Sequence, residues 1–358
     1  MLRELMIRFL SAGREPVSNP AAAETEAADR LIASGNRTEA EGRLPEACAA
    51  YRAAVDAAPR YAPAHLNLGI GLEAAGDVEG ALKSYERALA LDPANPFVNY
   101  NLGKLLCARE DLERAERLLR CALECKPAFA EANVVLANLY DTQGNHRAAA
   151  AELEAALEHR PRYVGALCNY AIVLRKMGRW NDAESALRRA VNADPDGNID
   201  ALNALGGLLA QQGRLAEATE CYQKAVALRP DLAGAHWNIG NVLADQGRLD
   251  EAVIRYQEAL LLDPDFIEAR RSLCMVLLEQ GRPADAIDRL RELLSSNPDF
   301  ANGHLSLGNM LGGEGRLDEA ANSLQRALAL KPELAEAHVR LGNIHWVRDN
   351  VDEAVRCY

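Results

Sequence analysis

Nine prolines recur along the chain at a nearly constant interval. The interval is 34 residues, with a single step of 35, and the prolines are Pro59, Pro93, Pro127, Pro161, Pro195, Pro230, Pro264, Pro298 and Pro332. A constant period of this length indicates a repeat protein, in which one supersecondary unit is stacked many times. The sequence therefore predicts ten copies of one unit, which begin near residues 28, 62, 96, 130, 164, 199, 233, 267, 301 and 335.

Residue size is fixed at several positions of the repeat. We number each copy so that its proline is position 32. Position 20 is alanine in all ten copies, and position 27 is alanine in every complete copy except for Leu293. Position 8 is always glycine, alanine or cysteine, whereas position 24 is large and apolar, as in Tyr51 and Tyr256. Small residues let two helices approach closely, and the large residue fills the space between them. Each copy is therefore predicted to be a pair of packed helices.

Residues that start or stop helices recur in the same frame. Glycine near position 15 predicts the end of the first helix, because glycine adopts the left-handed conformation of a helix C-terminus without a steric penalty. Glu110 and Asp349 replace this glycine in the third and tenth copies. Acidic pairs such as Asp250 and Glu251 suit the positive end of a second helix, and the proline at position 32 ends that helix.

These columns closely resemble the tetratricopeptide-repeat family, above all in the stretch HWNIGNVLADQGRLDEAVIRYQEALLLDP at 236–264. The resemblance covers residues 28–358. It implies an all-α, right-handed superhelical solenoid of about ten helical hairpins, in which the first helices line a concave groove. In that family, positions 2, 5, 6, 9 and 12 face into the groove and bind a protein or an extended peptide.

Composition excludes several other classes of function. A net charge of −12 argues against nucleic acid as a partner, because binding to phosphates requires clustered Lys and Arg. No apolar run is long enough to span a membrane, so we expect no integral membrane segment. Most of the eight cysteines fall singly at small or apolar helix positions, which favours reduced thiols and a cytoplasmic location. Residues 1–27 are expected to be a weakly ordered leader and linker, or a short amphipathic helix at the start.

Motifs for catalysis, cofactors and metals are lacking in the sequence. We find no phosphate-binding loop, no nucleophile elbow and no zinc-protease motif. His65, His236, His304 and His338 all occupy position 4, but stacked repeats would hold them roughly 10 Å apart. We therefore interpret the histidines as structural and expect no catalytic residue, no cofactor and no metal site.

Asparagine recurs in the middle of the first helices, although it is a mediocre helix former. One hypothesis is that these amides clamp the backbone of a bound peptide, since each offers both a donor and an acceptor. The alternative is that they are solvated side chains inherited by repeat duplication. With two aromatic residues expected to face the groove, the candidate peptide-binding set is Asn67, Asn101, Asn138, Asn169, Asn238, Asn241, Asn309, Asn343, Tyr100 and Trp237.

The phrases HLNLG, HWNIGNVLADQGRLDEA and LGNMLGGEGRLDEA are similar to the repeats of O-linked N-acetylglucosamine transferases, including SPINDLY-type members. This resemblance implies the substrate-recognition arm of a larger glycosyltransferase. The alternative is a stand-alone adaptor or assembly scaffold, for instance in secretion or surface-polymer export.

The tenth copy stops at position 24. We therefore expect the chain to be a fragment, with residues 343–358 its most frayed helical segment. Oligomers could form through the repeat faces or through this uncapped end.

Overall fold

The computed structural model describes residues 20–194 and 197–358, and the regular structure in these ranges is entirely α-helical. Twenty helices succeed one another there: α1 (Pro20–Ala40), α2 (Leu44–Ala57), α3 (Ala62–Ala74), α4 (Val78–Leu91), α5 (Pro96–Ala108), α6 (Leu112–Cys125), α7 (Ala130–Thr142), α8 (His146–His159), α9 (Val164–Lys176), α10 (Trp180–Ala193), α11 (Ile199–Gln211), α12 (Leu215–Leu228), α13 (Ala233–Asp245), α14 (Leu249–Leu262), α15 (Ile267–Glu279), α16 (Pro283–Ser296), α17 (Ala301–Gly313), α18 (Leu317–Leu330), α19 (Ala335–Val347) and α20 (Val351–Cys357). Successive pairs form hairpins 1 to 10. The predicted all-α fold of repeated helical hairpins is confirmed.

Helix α1 begins earlier than the repeat frame suggests. It starts at Pro20 rather than near residue 28, so residues 20–27, which we expected to be linker, are helical. The reason lies in their composition, because alanine and glutamate favour helices and proline is well suited to the first helical position. Residues 1–19, which include the expected leader, lie outside the described residues.

The first helix of each hairpin ends as the glycine column predicts. Its last turn is followed by a residue with positive φ, which is Gly42, Gly76, Gly144, Gly178, Gly213, Gly247, Gly281 or Gly315 in eight hairpins. Glu110 and Asp349 adopt the same conformation, with φ of 63° and 58°. The turn is closed by backbone hydrogen bonds: in hairpin 7, the Arg248 amide donates to the Leu243 carbonyl over 2.9 Å, as in a Schellman motif.

The Cα atoms group into two units, Met1–Ala186 and Leu187–Tyr358, and the same packing occurs within each. In the first unit, the first helices of neighbouring hairpins contact each other from hairpin 1 to hairpin 5. In the second unit, they do so between hairpins 6 and 7, 7 and 8, and 9 and 10. Second helices of neighbouring hairpins, compared for hairpins 1–4 and 6–10, have no Cα atoms within 8 Å of each other. The first helices therefore lie on the more crowded side of each stack, which we call the inner surface.

Position 24 is the centre of each hairpin core. A tyrosine at position 24 always faces a glycine at position 8, in the pairs Tyr51–Gly35, Tyr85–Gly69, Tyr222–Gly206, Tyr256–Gly240 and Tyr358–Gly342. Leucine at position 24 is also found with alanine or cysteine at position 8, as in Leu153 with Ala137. The ten alanines of position 20 are fully buried. The flat phenol ring therefore requires the smallest residue opposite it, and leucine does not.

The position-4 histidines connect each hairpin to the one before it. The Nε2 atoms of His65, His236, His304 and His338 lie 2.9, 3.1, 2.9 and 2.9 Å from the carbonyl oxygen of the proline six residues earlier. Because a carbonyl only accepts, Nε2 carries the proton in each case. Asn99 makes the equivalent bond to Pro93 over 2.8 Å. This column therefore ties the start of a first helix to the preceding loop, which supports the structural interpretation of the histidines.

Candidate functional site: the inner surface of the first helices

The asparagines predicted to bind a peptide all lie on first helices and keep at least part of their surface exposed. They do not form one uniform ladder, because their amides make three different kinds of contact. Some accept a hydrogen bond from a tyrosine, some donate to their own helix, and some bond to a neighbouring hairpin. Asn238 makes none of these contacts with the described residues.

At position 9, asparagine serves as the acceptor for the tyrosine of position 24. The Tyr256 hydroxyl donates to Oδ1 of Asn241 over 2.9 Å, and the Tyr358 hydroxyl donates to Oδ1 of Asn343 over 2.6 Å. The Tyr51 hydroxyl lies 2.8 Å from Oδ1 of Asn36 but 2.6 Å from Oε2 of Glu39, so Asn36 competes with a carboxylate for the single proton. This contact fixes the amide, because the two positions belong to the two helices of one hairpin. The Nδ2 donors of Asn241 and Asn343 have no acceptor among the residues that the structure describes.

At position 6, the asparagines behave differently from one another. Nδ2 of Asn67 donates to the Pro63 carbonyl, and Nδ2 of Asn101 donates to the Phe97 carbonyl, both over 2.8 Å. These bonds to the preceding helical turn occupy a donor and leave Oδ1 available. Asn238 makes no hydrogen bond to any described residue. Among the candidate asparagines, it is therefore the one whose amide donors and acceptor are all unengaged.

Two asparagines bridge neighbouring hairpins in the first unit. Nδ2 of Asn169 in hairpin 5 donates to Oδ1 of Asn138 in hairpin 4 over 2.9 Å. Charged pairs connect hairpins in the same region: Lys104 lies 2.9 Å from Glu73, and Lys176 lies 2.6 Å from Asp141. Exposed ion pairs contribute little to stability. They do pair four charged side chains of this surface with one another.

The two predicted aromatic site residues pack against the next hairpin. The Tyr100 ring lies 4.9 Å from the Phe129 ring, and the Trp237 ring lies 5.6 Å from the Phe266 ring. Nε1 of Trp237 also donates to Oγ of Ser272 over 3.0 Å. Both side chains are part-buried. They stabilise the contact between hairpins, and only part of each side chain stays accessible to a partner.

Two cavities open between first helices in the second unit. A cavity of about 300 Å³ lies between hairpins 8 and 9 and includes Arg271, Met275 and Phe300 in its wall. Another, of about 310 Å³, lies between hairpins 9 and 10 and is lined in part by Asn309 and Asn343. The sequence columns gave no sign of either cavity, because each depends on which side chains meet across two repeats.

Residues 20–194 and 197–358 contain neither a cluster of metal ligands nor a helix that could span a membrane. No cluster of three or more His, Cys, Asp or Glu side chains in these ranges is arranged to hold a metal ion. None of the described helices combines the length and the apolar character needed to cross a bilayer.

Family models of repeats match most of the chain. A model described as TPR repeat matches residues 74–108, 206–247 and 313–346. Two models described as Tetratricopeptide repeat match residues 142–208 and 243–308, and residues 100–163. Together these matches extend without interruption from hairpin 2 into hairpin 9.

Several known proteins resemble part of this chain in sequence or in fold. A segment of 65 residues is 40% identical to the Drosophila melanogaster protein O-mannosyl-transferase Tmtc2, covering 18% of this chain and 7% of that protein. The chain thus spans only a small part of this relative. A tetratricopeptide repeat protein from Parabacteroides merdae has a similar structure, with a TM-score of 0.53 and 20% identity over 70% of this chain and 99% of that one.

The type IV pilus biogenesis factor PilW also has a similar fold. Its TM-score is 0.53 at 20% identity, over 57% of this chain and 94% of PilW. These structural similarities concern the fold, which is that of stacked helical hairpins. The repeat models match hairpins 2 to 10. The hairpin geometry and the columns of glycine, alanine and proline agree with these matches. The chain therefore belongs to the tetratricopeptide-repeat family.

Proposed function

We propose that the chain is a protein-binding scaffold whose inner surface holds an extended segment of a partner protein. The observation that carries this proposal is the state of the amides in hairpin 7. Asn238 is unengaged, and Asn241 is held by Tyr256 through its acceptor alone. Hairpin 7 therefore presents an oriented N–H donor from Asn241 and an unengaged amide from Asn238 on the inner surface. A peptide backbone offers a matching acceptor at every residue.

The spacing of the first helices suits an extended chain. Packed helices lie about 8–10 Å apart, and an extended chain advances about 3.3 Å per residue. Each successive first helix would then meet roughly every third residue of the bound segment. Recognition through backbone groups gives affinity with little dependence on the side chains of the partner.

Within this function, we further propose that the repeats guide protein substrates to a glycosyltransferase. Two observations support this finer proposal: the similarity of the repeat text to O-linked N-acetylglucosamine transferases, and the 65-residue match to a protein named as an O-mannosyl-transferase. A stand-alone adaptor is the other candidate, and the fold shared with the pilus biogenesis factor PilW is compatible with it. Both uses depend on the same inner surface.

Peptide selection with matched amide variants tests the scaffold function. Twelve-residue peptides selected from a random library on the purified chain would be measured by calorimetry against the wild type, Asn238→Ala and Gln257→Ala. Gln257 is an exposed amide on the second helix of the same hairpin. We expect Asn238→Ala to weaken binding about threefold to tenfold, as for one lost hydrogen bond, and Gln257→Ala to leave it unchanged. Equal affinities for all three proteins would contradict the proposal.

The finer proposal requires a different assay. The natural full-length protein would be incubated with UDP-N-acetylglucosamine and a selected peptide. The mass of the peptide would then be measured by mass spectrometry. Addition of one sugar supports the transferase arm. Tight binding without any transfer favours the adaptor.

A further inference from the structure

Hairpin 9 has an asparagine at position 9, Asn309, but no tyrosine at position 24 that could donate a hydrogen bond to it. Position 24 is Leu324 there, whereas Asn241 and Asn343 each accept from a tyrosine of their own hairpin. Oδ1 of Asn309 is shielded from solvent and has no hydrogen-bond partner among residues 20–194 and 197–358. Its orientation is set by the other end of the amide, because Nδ2 donates to Glu336 over 3.0 Å.

The neighbouring hairpin does not supply the missing donor either. In hairpin 4, which also has leucine at position 24, Asn138 accepts from Asn169 at position 6 of the next hairpin. The equivalent residue after hairpin 9 is Arg340, whose guanidinium lies 3.7 Å from Glu336 instead. Two replacements therefore leave the Asn309 carbonyl unpaired, and an unpaired shielded carbonyl is unfavourable.

Leu324 fills the place over Gly308 that a tyrosine ring takes in other hairpins, but space remains open farther along the same helix, at Gly312 and Gly313. A cavity of about 310 Å³ lies beside Asn309, and three glycines without side chains, Gly308, Gly312 and Gly313, form part of its wall. Leu324 and other apolar side chains line it further, and Arg340 and Asn343 lie at its polar edge. The volume is at the lower end of the range for ligand sites, which fits one aromatic side chain.

We infer that this cavity receives a tyrosine side chain of the bound partner, whose phenol supplies the donor that hairpins 7 and 10 provide from within. The inference rests on the proposed function, because it names one side chain of the segment held on the inner surface. The ring packs against Gly312, Gly313 and Val347, and the hydroxyl donates to Oδ1 of Asn309. Arg340, which is exposed, is the part of the wall that can swing aside to admit the ring.

A small phenol provides the direct probe. The isotope-labelled chain would be titrated with p-cresol, which is the side chain of tyrosine, and with toluene, which is the side chain of phenylalanine. We expect saturable NMR shifts for the backbone amides of Gly308, Gly312 and Gly313 with p-cresol. Toluene should bind about tenfold more weakly, as expected for the loss of a hydrogen bond to a shielded group.

Two substitutions separate the hydroxyl contact from simple filling of a cavity. Leu324→Tyr should close the site from within, because Gly308 leaves the room that a tyrosine at position 24 needs, and it should abolish the p-cresol shifts. Asn309→Leu should reduce p-cresol to the affinity of toluene. Leu119→Tyr makes the same replacement in hairpin 3, which also has glycine at position 8, and should leave p-cresol binding intact.

The outcomes distinguish this inference from the proposed function. An absence of saturable p-cresol shifts, or equal shifts in the wild type and Leu324→Tyr, overturns the tyrosine site. If selected peptides still bind the wild type and lose affinity in Asn238→Ala, the scaffold function stands without it. Conversely, p-cresol binding that remains when no peptide binds would support the cavity and contradict the scaffold.

Discussion

The ring of Tyr256 lies directly over Gly240, and its hydroxyl reaches the next residue of the same helix, Asn241, over 2.9 Å. One side chain of the second helix thus fixes both the distance between the helices and the orientation of an amide on the inner surface. The core of hairpin 7 and its candidate binding group are therefore coupled through a single tyrosine.

Replacing the glycine beneath this ring should destabilise the protein. In Gly240→Ala, the new Cβ would lie 2.5 Å from Cε1 of Tyr256, so the ring or a helix must shift, at a cost of about 1–3 kcal/mol. Gly234→Ala in the same helix is the control, because nothing lies within 4 Å of the added carbon. It should be neutral or stabilising by up to about 1 kcal/mol. Urea unfolding measures both, and equal midpoints would refute the packing argument.

Removal of the Tyr256 hydroxyl should cost about one hydrogen bond. Tyr256→Phe leaves Oδ1 of Asn241 without its donor, and we expect a loss of about 1 kcal/mol in the free energy of unfolding. Tyr222 occupies the same position in hairpin 6, but its hydroxyl has no partner among the described residues, since Gly207 stands where Asn241 does. Tyr222→Phe should therefore leave stability unchanged. Similar losses in both variants would show that the asparagine contact is not the cause.

Stability should fall steeply at alkaline pH. Burial raises the pKa of Tyr256 from 10.0 to about 12, and burial also raises the pKa of Tyr222 to about 12. The unfolded chain loses these protons from about pH 10, whereas the folded chain keeps them until higher pH. The stabilisation is thus complete below pH 10 and is lost as the pH rises towards 12. Tyrosinate absorbance and unfolding curves measured together would test this; tyrosines that ionise near pH 10 while the protein stays folded would contradict it.

A glycine should stabilise the protein at Glu110 or Asp349, the two helix ends where a residue other than glycine has positive φ. Glu110 has a φ of 63°, a left-handed conformation that costs a residue with a side chain roughly 1 kcal/mol. Glu110→Gly should therefore raise the free energy of unfolding by about that amount. Gly76→Ala, at the equivalent place one hairpin earlier, has open space around the added carbon and should lower it by a similar amount. Thermal unfolding that moves in the same direction for both would contradict the explanation.

Much of the fold could be predicted from the sequence because each repeated residue has a local physical role. Gly247 ends a helix and Ala252 permits close packing in every context, so their columns specify a hairpin without knowledge of its neighbours. The helical start at Pro20 was not predicted, since proline was interpreted as a linker residue rather than as the first residue of a helix.

The candidate site was less predictable, because it depends on pairs of positions. Asn241 and Asn309 look identical in the sequence, yet one is held by Tyr256 and the other faces Leu324. Comparison of positions 9 and 24 within each copy would have revealed this difference. The bond from Asn169 to Asn138 and the packing of Trp237 on Phe266 join different hairpins, and no single column records such contacts.

Hydrogen exchange in hairpin 7 tests the central claim most directly. The purified chain would be saturated with a selected peptide, and amide exchange would be followed by mass spectrometry in α13, on the inner surface, and in α14, behind it. If the inner surface binds the peptide, exchange slows in α13 much more than in α14, and Asn238→Ala diminishes the difference at equal peptide concentration. Slower exchange in α14 with α13 unchanged would show that the partner binds the second helices, and the account would be wrong.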